Sequence, residues 1–377
     1  MTEPLSRRDF LKLASLLPLT AAVACAPKPI RQVIENIGKN TQELIPIEPS
    51  LGSEFQIQLG EEKSVDLHGL NWVPDTRTSY IQKGDNFQFY FSSGRNGYVA
   101  EGRDLTKLGE PRQYLGPDLK QGKYGINCYR APGTVFDDGK GKIWSVDHLE
   151  EWSSMNNGSN FTARIGLSLS EDWGNTWVDK GVILDGQAAE TAGNKVSGAG
   201  QPCTFLKEED GVNYVFLYYT DWGIKPDSIH LARVPLGQID NPDAWQKYYQ
   251  GSFSSSGKGG ISTSVIEPPE EEVYSALASV SWNNRLQKPI ASFETGTGFW
   301  LTSSSDGINW KDYQKIADFP ESHDKRKVGS NWFSYPTLLS LDTGNQFVTS
   351  DKGILVYGKG SFNETPHQMK MREFNIS

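Results

Sequence analysis

Asp75, Asp221 and Glu294 each sit at one end of a short β-rich run, and two carboxyl groups are what glycosidic bond cleavage requires. One protonated carboxyl delivers a proton to the leaving oxygen while an ionised carboxylate works on the opposite face of the sugar. A separation of about 5 Å implies retention, and roughly 6.5–9.5 Å implies inversion with a water between them. Asp75 suits the base or nucleophile; Glu294 or Asp221 suits the acid, its pKa raised by neighbouring carboxylates or by burial. Arg77, Arg95, Arg130, Asp147, His148, Gln201, Trp222 and Tyr335 occupy equivalent run ends. Arginines there can grip a substrate hydroxyl or carboxylate, and aromatic rings can line the pocket. Each residue also has a structural reading. Asp75 can cap a turn, Asp221 can end a strand, and Glu294 can be solvated. Asp147 and His148 can form an internal hydrogen-bonded pair, and Arg130 can salt-bridge Asp75 or Asp147. Glu150, Glu151 and Glu270 to Glu272 read as solvated charge runs, and His230 as a packed histidine.

What must position these residues is a repeat. The run from Gly198 to Trp222 reads as two strands joined by a Gly-containing turn, a hairpin. The same phrase recurs from Trp72, from Arg130, from Ser275 without its Pro, and from Tyr335. Repetition at roughly 60-residue spacing marks a propeller or solenoid. Each unit continues past its hairpin, as in Thr162 to Trp177 and Gly298 to Trp310, giving about four strands, one propeller blade. The expected fold is all-β: a five-bladed β-propeller of four-stranded antiparallel blades over residues 54–377. In such a blade the start of the first strand and the end of the second meet on one face, where all the residues above converge. Phe55-Gln-Ile-Gln-Leu is expected to pair with the last blade, because a ring of sheets leaves open edges unless its ends are stitched.

Composition agrees. The 377 residues include 38 Gly, 11 Trp, 15 Tyr and 17 Phe, which suits many short strands and turns. A formal charge of −9 argues against a nucleic-acid partner, which wants a basic face. Ser6-Arg-Arg-Asp-Phe-Leu-Lys12 matches a twin-arginine export signal and is followed by an apolar run too short to span a membrane. Ala22-Val-Ala-Cys25 resembles a bacterial lipobox. The expectation is an exported chain (signal, residues 1–25; tether, residues 26–53) held at the cell envelope through a lipid on Cys25, on the periplasmic or outer-membrane face. A short helix near Arg31 to Ile37 would fit within the tether. Cleavage near Ala24 without lipidation is the alternative. Cys128 and Cys203 are the other cysteines; an oxidising compartment makes a disulfide plausible, and no Cys/His cluster accompanies them to form a zinc site. Neither a metal nor a cofactor is expected.

Ser170-Glu-Asp-Trp-Gly-Asn-Thr-Trp177 is an Asp-box, a structural turn of sialidases and other propellers, and Ser303 to Trp310 reads as a degenerate copy with Asp306 one position late. The Pro-led inner strands, Tyr218-Tyr-Thr-Asp221, Ser305-Asp-Gly-Ile-Asn-Trp310 and Tyr335-Pro-Thr-Leu-Leu339 together resemble five-bladed glycoside hydrolases of the arabinanase and β-xylosidase type. The resemblance covers roughly residues 55–377. It implies a carbohydrate substrate and a base Asp at the start of the first blade, matched by Asp75. The chain departs from that pattern where Arg130-Ala-Pro-Gly and Gln201-Pro-Cys stand in place of carboxylates, so an acid would come from Asp147, Asp221 or Glu294. A noncatalytic glycan-binding propeller is the alternative. A sialidase-like enzyme is a third reading, with Arg77, Arg95 and Arg130 clustered beside a Tyr335 nucleophile.

Overall fold

Alternating apolar residues, as in Tyr214-Val-Phe-Leu-Tyr-Tyr219, put one side chain in two onto each face of an extended strand. A computed structural model describes residues 44–46, 55–116, 128–152, 161–187, 196–320, 331–361 and 365–377. The export signal, Cys25 and nearly all of the tether, including the expected helix at Arg31 to Ile37, lie outside the described residues, as does the side chain of Cys128.

The described residues are almost wholly β, with three single-turn 3-10 helices. Their strands pair into five antiparallel meanders. The first comprises Ser79–Lys83, Asn86–Ser93, Asn96–Gly102 and Arg112–Leu115. Cys128–Asp137, Ile143–Trp152, Phe161–Ser170 and Val178–Asp185 make the second. In the third, Val196–Glu209, Val212–Asp221 and Ser228–Pro235 are followed by Gln246–Tyr249 and Ser264–Ile266, both paired to the same outer strand. Ala276–Asn283, Lys288–Glu294, Gly298–Ser304 and Trp310–Asp318 form the fourth. The fifth has Asn331–Leu339, Lys352–Ser361 and Thr365–Ile376, and its outermost strand is Ile57–Leu59 from the other end of the chain. The expected pairing of Phe55–Leu59 with the last repeat is therefore present, and Gln314 adds a side-chain hydrogen bond to the Phe55 carbonyl at 2.7 Å.

Neighbouring meanders are joined by recurring side-chain bonds, three of them between innermost strands. The amide of Val135 donates to Ser79 Oγ at 3.1 Å, that of Thr204 to Thr134 Oγ1 at 2.9 Å, and that of Val280 to Cys203 Sγ at 3.1 Å. Ser292 Oγ donates to the Pro336 carbonyl at 3.0 Å, and Tyr80 Oη to the Ser340 carbonyl at 2.9 Å. Cys203 thus fills a place taken elsewhere by a hydroxyl residue. Its thiol is free and fully buried, so the disulfide considered for it is not formed.

The two Asp-boxes pin meanders together. In the first, Ser170 Oγ accepts the Gly174 amide while Asp172 accepts from Asn175, Thr176 and Thr176 Oγ1. These bonds hold the Asp172 carboxyl down at about 2. Trp177 then packs on Tyr90 and Tyr114 of the preceding meander. The second box begins at Ser304, not Ser303. Ser304 Oγ accepts the Gly307 amide and Asp306 accepts from Ile308 and Asn309. Asp306 therefore stands in register with Asp172, and the loop is simply one residue shorter before Trp310, which packs on Tyr218.

Candidate active site

The innermost strands do not run straight. Four of them slip register at the same place, between Pro132 and Thr134, Gly200 and Cys203, Ala276 and Ser279, and Ser334 and Thr337. Three of these bulges carry a non-glycine residue in the left-handed region: Gln201 (φ +53°), Leu277 (+59°) and Tyr335 (+62°). A β-bulge re-aims the side chains beside it and is common next to active sites, and strained backbone of this kind clusters where ligands are held. In Gln201-Pro202 and Tyr335-Pro336 the following Pro disfavours ordinary right-handed helical geometry at the preceding residue. The Pro-led phrase of the sequence is the signature of this bulge.

Tyr335, turned by its bulge, donates its phenol to Asp75 Oδ1 at 2.9 Å. Tyr129 of the second meander donates to the Asp75 carbonyl at 3.2 Å, and the Asp75 amide donates to Ser92 Oγ at 2.7 Å. Asp75 is partly buried. Desolvation first, then the charge of Glu150, pushes its carboxyl up to about 7, against the opposing hydrogen bonds of Tyr335 and Tyr129. Burial and the adjacent carboxylate keep the Tyr335 phenol neutral, with its pKa well above the usual value.

Glu150 is not the solvated residue its Glu-Glu context suggests. Strand alternation puts His148 and Glu150 on one face of Ile143–Trp152, while Glu151 faces outward and pairs with Arg164 at 3.2 Å. Glu150 is 9% exposed. His148 Nδ1 accepts the Gln201 amide at 3.3 Å, which leaves Nε2 carrying the proton it donates to Glu150 Oε1 at 3.0 Å. The buried imidazole contacts Tyr129 and Trp222 edge-on, with ring centroids 5.5 and 5.9 Å away. Gly200 is required here, because a Cβ would lie 2.5 Å from His148 and 2.6 Å from Trp222. Glu294 is 1% exposed, accepts a short hydrogen bond from Ser334, and lies near enough for its charge to act on the Tyr335 phenol. On the other flank Trp332 lies 5.6 Å from Tyr335 and 4.2 Å from His367, which in turn meets Trp72 at 5.2 Å. The structure thus brings together Asp75, His148, Gln201, Trp222, Glu294 and Tyr335, and adds Tyr129 and Glu150.

Other expected residues lie elsewhere. Arg130 and Asp147 face away from Asp75 and satisfy each other: Arg130 Nη2 is 2.9 Å from Asp147 Oδ2, and Nη1 is 2.9 Å from Asp179. Ser145 and Ser168 complete the carboxylate's bonds, and Asp147 is fully buried. This is the structural ion pair, so substrate binding is not their role. Asp221 accepts the amides of Gln187 and Gly223 at 3.1 and 3.0 Å, fastening the end of its strand; burial raises its pKa, but it does not join the Asp75 group. Arg77 turns to the inner strands, reaching Thr134 and Ser279. Arg95 is partly exposed in the turn after Asn86–Ser93, its carbonyl accepting the Arg130 amide at 3.4 Å. The arginine cluster that a sialidase reading requires beside Tyr335 is therefore not assembled. His230 is a packed histidine, stacked on Tyr219 with centroids 5.8 Å apart. Among the described residues no His, Cys, Asp and Glu group suited to a metal ion is present.

No protein-family model and no curated protein sequence matches the chain. Solved structures do. A family 117 glycoside hydrolase produced by the marine bacterium Zobellia galactanivorans aligns at TM-score 0.53 and 13% identity over 85% of this chain and 90% of its own. An alpha-L-arabinofuranosidase from Lactobacillus brevis aligns at 0.50 and 10% identity, covering 81% of this chain and 92% of that one. The catalytic domain of a GH62 alpha-L-arabinofuranosidase from Coprinopsis cinerea aligns at 0.50 and 12% identity, covering 85% and 97%. At such identities the likeness is one of fold: the chain has the all-β propeller architecture of glycoside hydrolases of this type.

Proposed function

We propose that the protein hydrolyses glycosidic bonds in an oligo- or polysaccharide, with Asp75 as the proton donor. The observation that carries this reading is the Asp75 carboxyl, held by Tyr335 at 2.9 Å and raised to about 7 by burial and the neighbouring Glu150. A carboxyl with that pKa is still protonated in a large fraction of molecules at neutral pH, as a general acid requires. This reverses the role expected from the sequence, which gave Asp75 to the base. Glu294 supplies the opposing carboxylate, and Glu150, steadied by His148, tunes Asp75. In the reaction the glycosidic oxygen leaves with the Asp75 proton. The anomeric carbon gains the hydroxyl of a water, and the water's other proton ends on a carboxylate. Trp72, Trp332 and His367 on one flank and Trp222 on the other offer ring faces and edges to sugar.

The likeness to glycoside hydrolases and the five meanders support a single closed five-bladed propeller over residues 54–377. Inner-strand bonds at successive junctions, together with the Tyr335–Asp75 bond between the fifth meander and the chain leading into the first, favour closure. Export through the twin-arginine signal and anchoring through Cys25 belong to the same proposal; labelling with a radioactive fatty acid, lost in Cys25→Ala, tests the anchor.

A glycan-panel hydrolysis assay on residues 26–377 with Asp75→Asn alongside tests the activity. Sugar release that disappears in the variant supports it. The replacement of expected carboxylates by Arg130 and Gln201 favours a second reading, a noncatalytic glycan binder. Glycan binding without turnover, equal in both proteins, would establish that reading instead.

A further inference from the structure

Two residues past Asp75 the chain commits a positive charge to its interior. Arg77 is 6% exposed; Nη1 donates to Thr134 Oγ1 of the second meander at 2.7 Å, and Nη2 to Ser279 Oγ of the fourth at 3.2 Å. Its charge also acts on the Cys203 thiol of the third. A side chain from the segment entering the first meander that meets the innermost strands of three others sits where those strands converge.

The two hydroxyls are neutral and cannot balance a guanidinium. Arg130, equally buried, has Asp147 and Asp179, and Arg372 has Glu62 at 4.0 Å. Among the described residues no carboxylate pairs with Arg77, and its buried Nε has no acceptor. Cys203 does not serve as counter-ion, since burial pushes its thiol up and keeps it protonated. Leaving a charge buried and unpaired is strongly unfavourable.

We propose that Arg77 holds a small monovalent inorganic anion of the size and charge of chloride where the innermost strands converge. Arg77 Nε–H is its donor, and the guanidinium is its counter-charge. A sugar carboxylate is too bulky for a place where the arginine is so fully covered, so the anion is structural and distinct from the substrate.

The test uses the full chain, exchanged into sodium gluconate and then titrated with sodium chloride or sodium bromide at constant ionic strength. The melting temperature should rise by about 2 °C per ten-fold increase of halide beyond its Kd and stay flat in gluconate. Crystals grown with bromide should give an anomalous peak beside Arg77 Nε. Arg77→Met should abolish the halide dependence. The bromide measurement on the unaltered protein stands even where a variant does not fold. Melting points that coincide in halide and gluconate, or a site beside Arg77 without anomalous signal, would overturn the proposal.

Discussion

The phenol of Tyr335 donates to Asp75 across 2.9 Å although the two residues are 260 positions apart in the chain. That bond ties the fifth meander to the segment entering the first, and moderates the protonation of the carboxyl proposed as proton donor. Asp75→Asn should therefore lower hydrolysis by about 10²–10⁴-fold, the usual contribution of a general acid. Turnover numbers on a released-sugar assay, with binding of the same glycan measured separately, check it.

The neighbours of Asp75 should move its titration in opposite directions. The Tyr335 hydrogen bond lowers the Asp75 pKa and the Glu150 charge raises it. Activity that needs protonated Asp75 falls off above pH about 7. In Tyr335→Phe this alkaline limb should shift upward, and in Glu150→Gln downward. Rate profiles between pH 5 and about 9 read both shifts; movement in the same direction would remove Glu150 from its tuning role.

Folding should also respond to pH through Asp75. Its carboxyl titrates at 3.8 when unperturbed and at about 7 in the folded protein, so folding takes up a proton between those values. The contribution to stability is complete below about pH 4 and is lost as pH rises through about 7. Asp75→Asn, which carries no charge, should gain on the natural protein as pH rises from 4 to 8, by at most about 4 kcal/mol. Denaturant midpoints across that range measure the gap.

The ion pair of the second meander is a stability element. Asp147→Ala leaves Arg130 buried with part of its compensation gone, and should cost about 3–5 kcal/mol. Activity per folded molecule should stay within about three-fold, because Arg130 and Asp147 face away from Asp75. Urea unfolding with an active-fraction assay separates the two effects.

Much of this was legible in the sequence, and the exceptions share one cause. The hairpins, the Asp-box at Ser170 and the pairing of Phe55–Leu59 follow from local turn chemistry and alternation, which a sequence displays. The inner-strand partners of Arg77 do not, and for Arg130 the sequence leaves Asp75 and Asp147 open, because four of the five innermost strands contain a bulge, and an extra residue reverses which side chains face inward beyond it. Glu150 was legible in principle: it lies two residues from His148, on the same face of a strand. Its neighbour Glu151 disguised it as part of a solvated run. The proposed role of Asp75 as proton donor rests on burial and on Glu150 from a different meander, and no local pattern encodes either.

At the seam, Phe55 is 1% exposed and packs in the core shared by the fourth and fifth meanders. Phe55→Ala should cost about 3–5 kcal/mol, and removal of residues 54–62 should lower the melting temperature more sharply still. Differential scanning calorimetry compares the two; an unchanged melting point in the deletion would show the strand to be dispensable.

The same seam sets an order of events in the cell. Ile57 pairs with Ile376, and Leu59 with Phe374, so the strand that finishes the fifth meander leaves the ribosome early and its partner emerges only after nearly all the rest. Local hairpins can form during synthesis, but this contact has among the greatest sequence separations in the chain, and such contacts are slow to close. Until translation reaches Ile376, the nascent protein carries two unmatched edges, and the edge of Ile57–Leu59 waits longest for its partner. The interval before that meeting is when the chain is most exposed to pairing with the wrong neighbour.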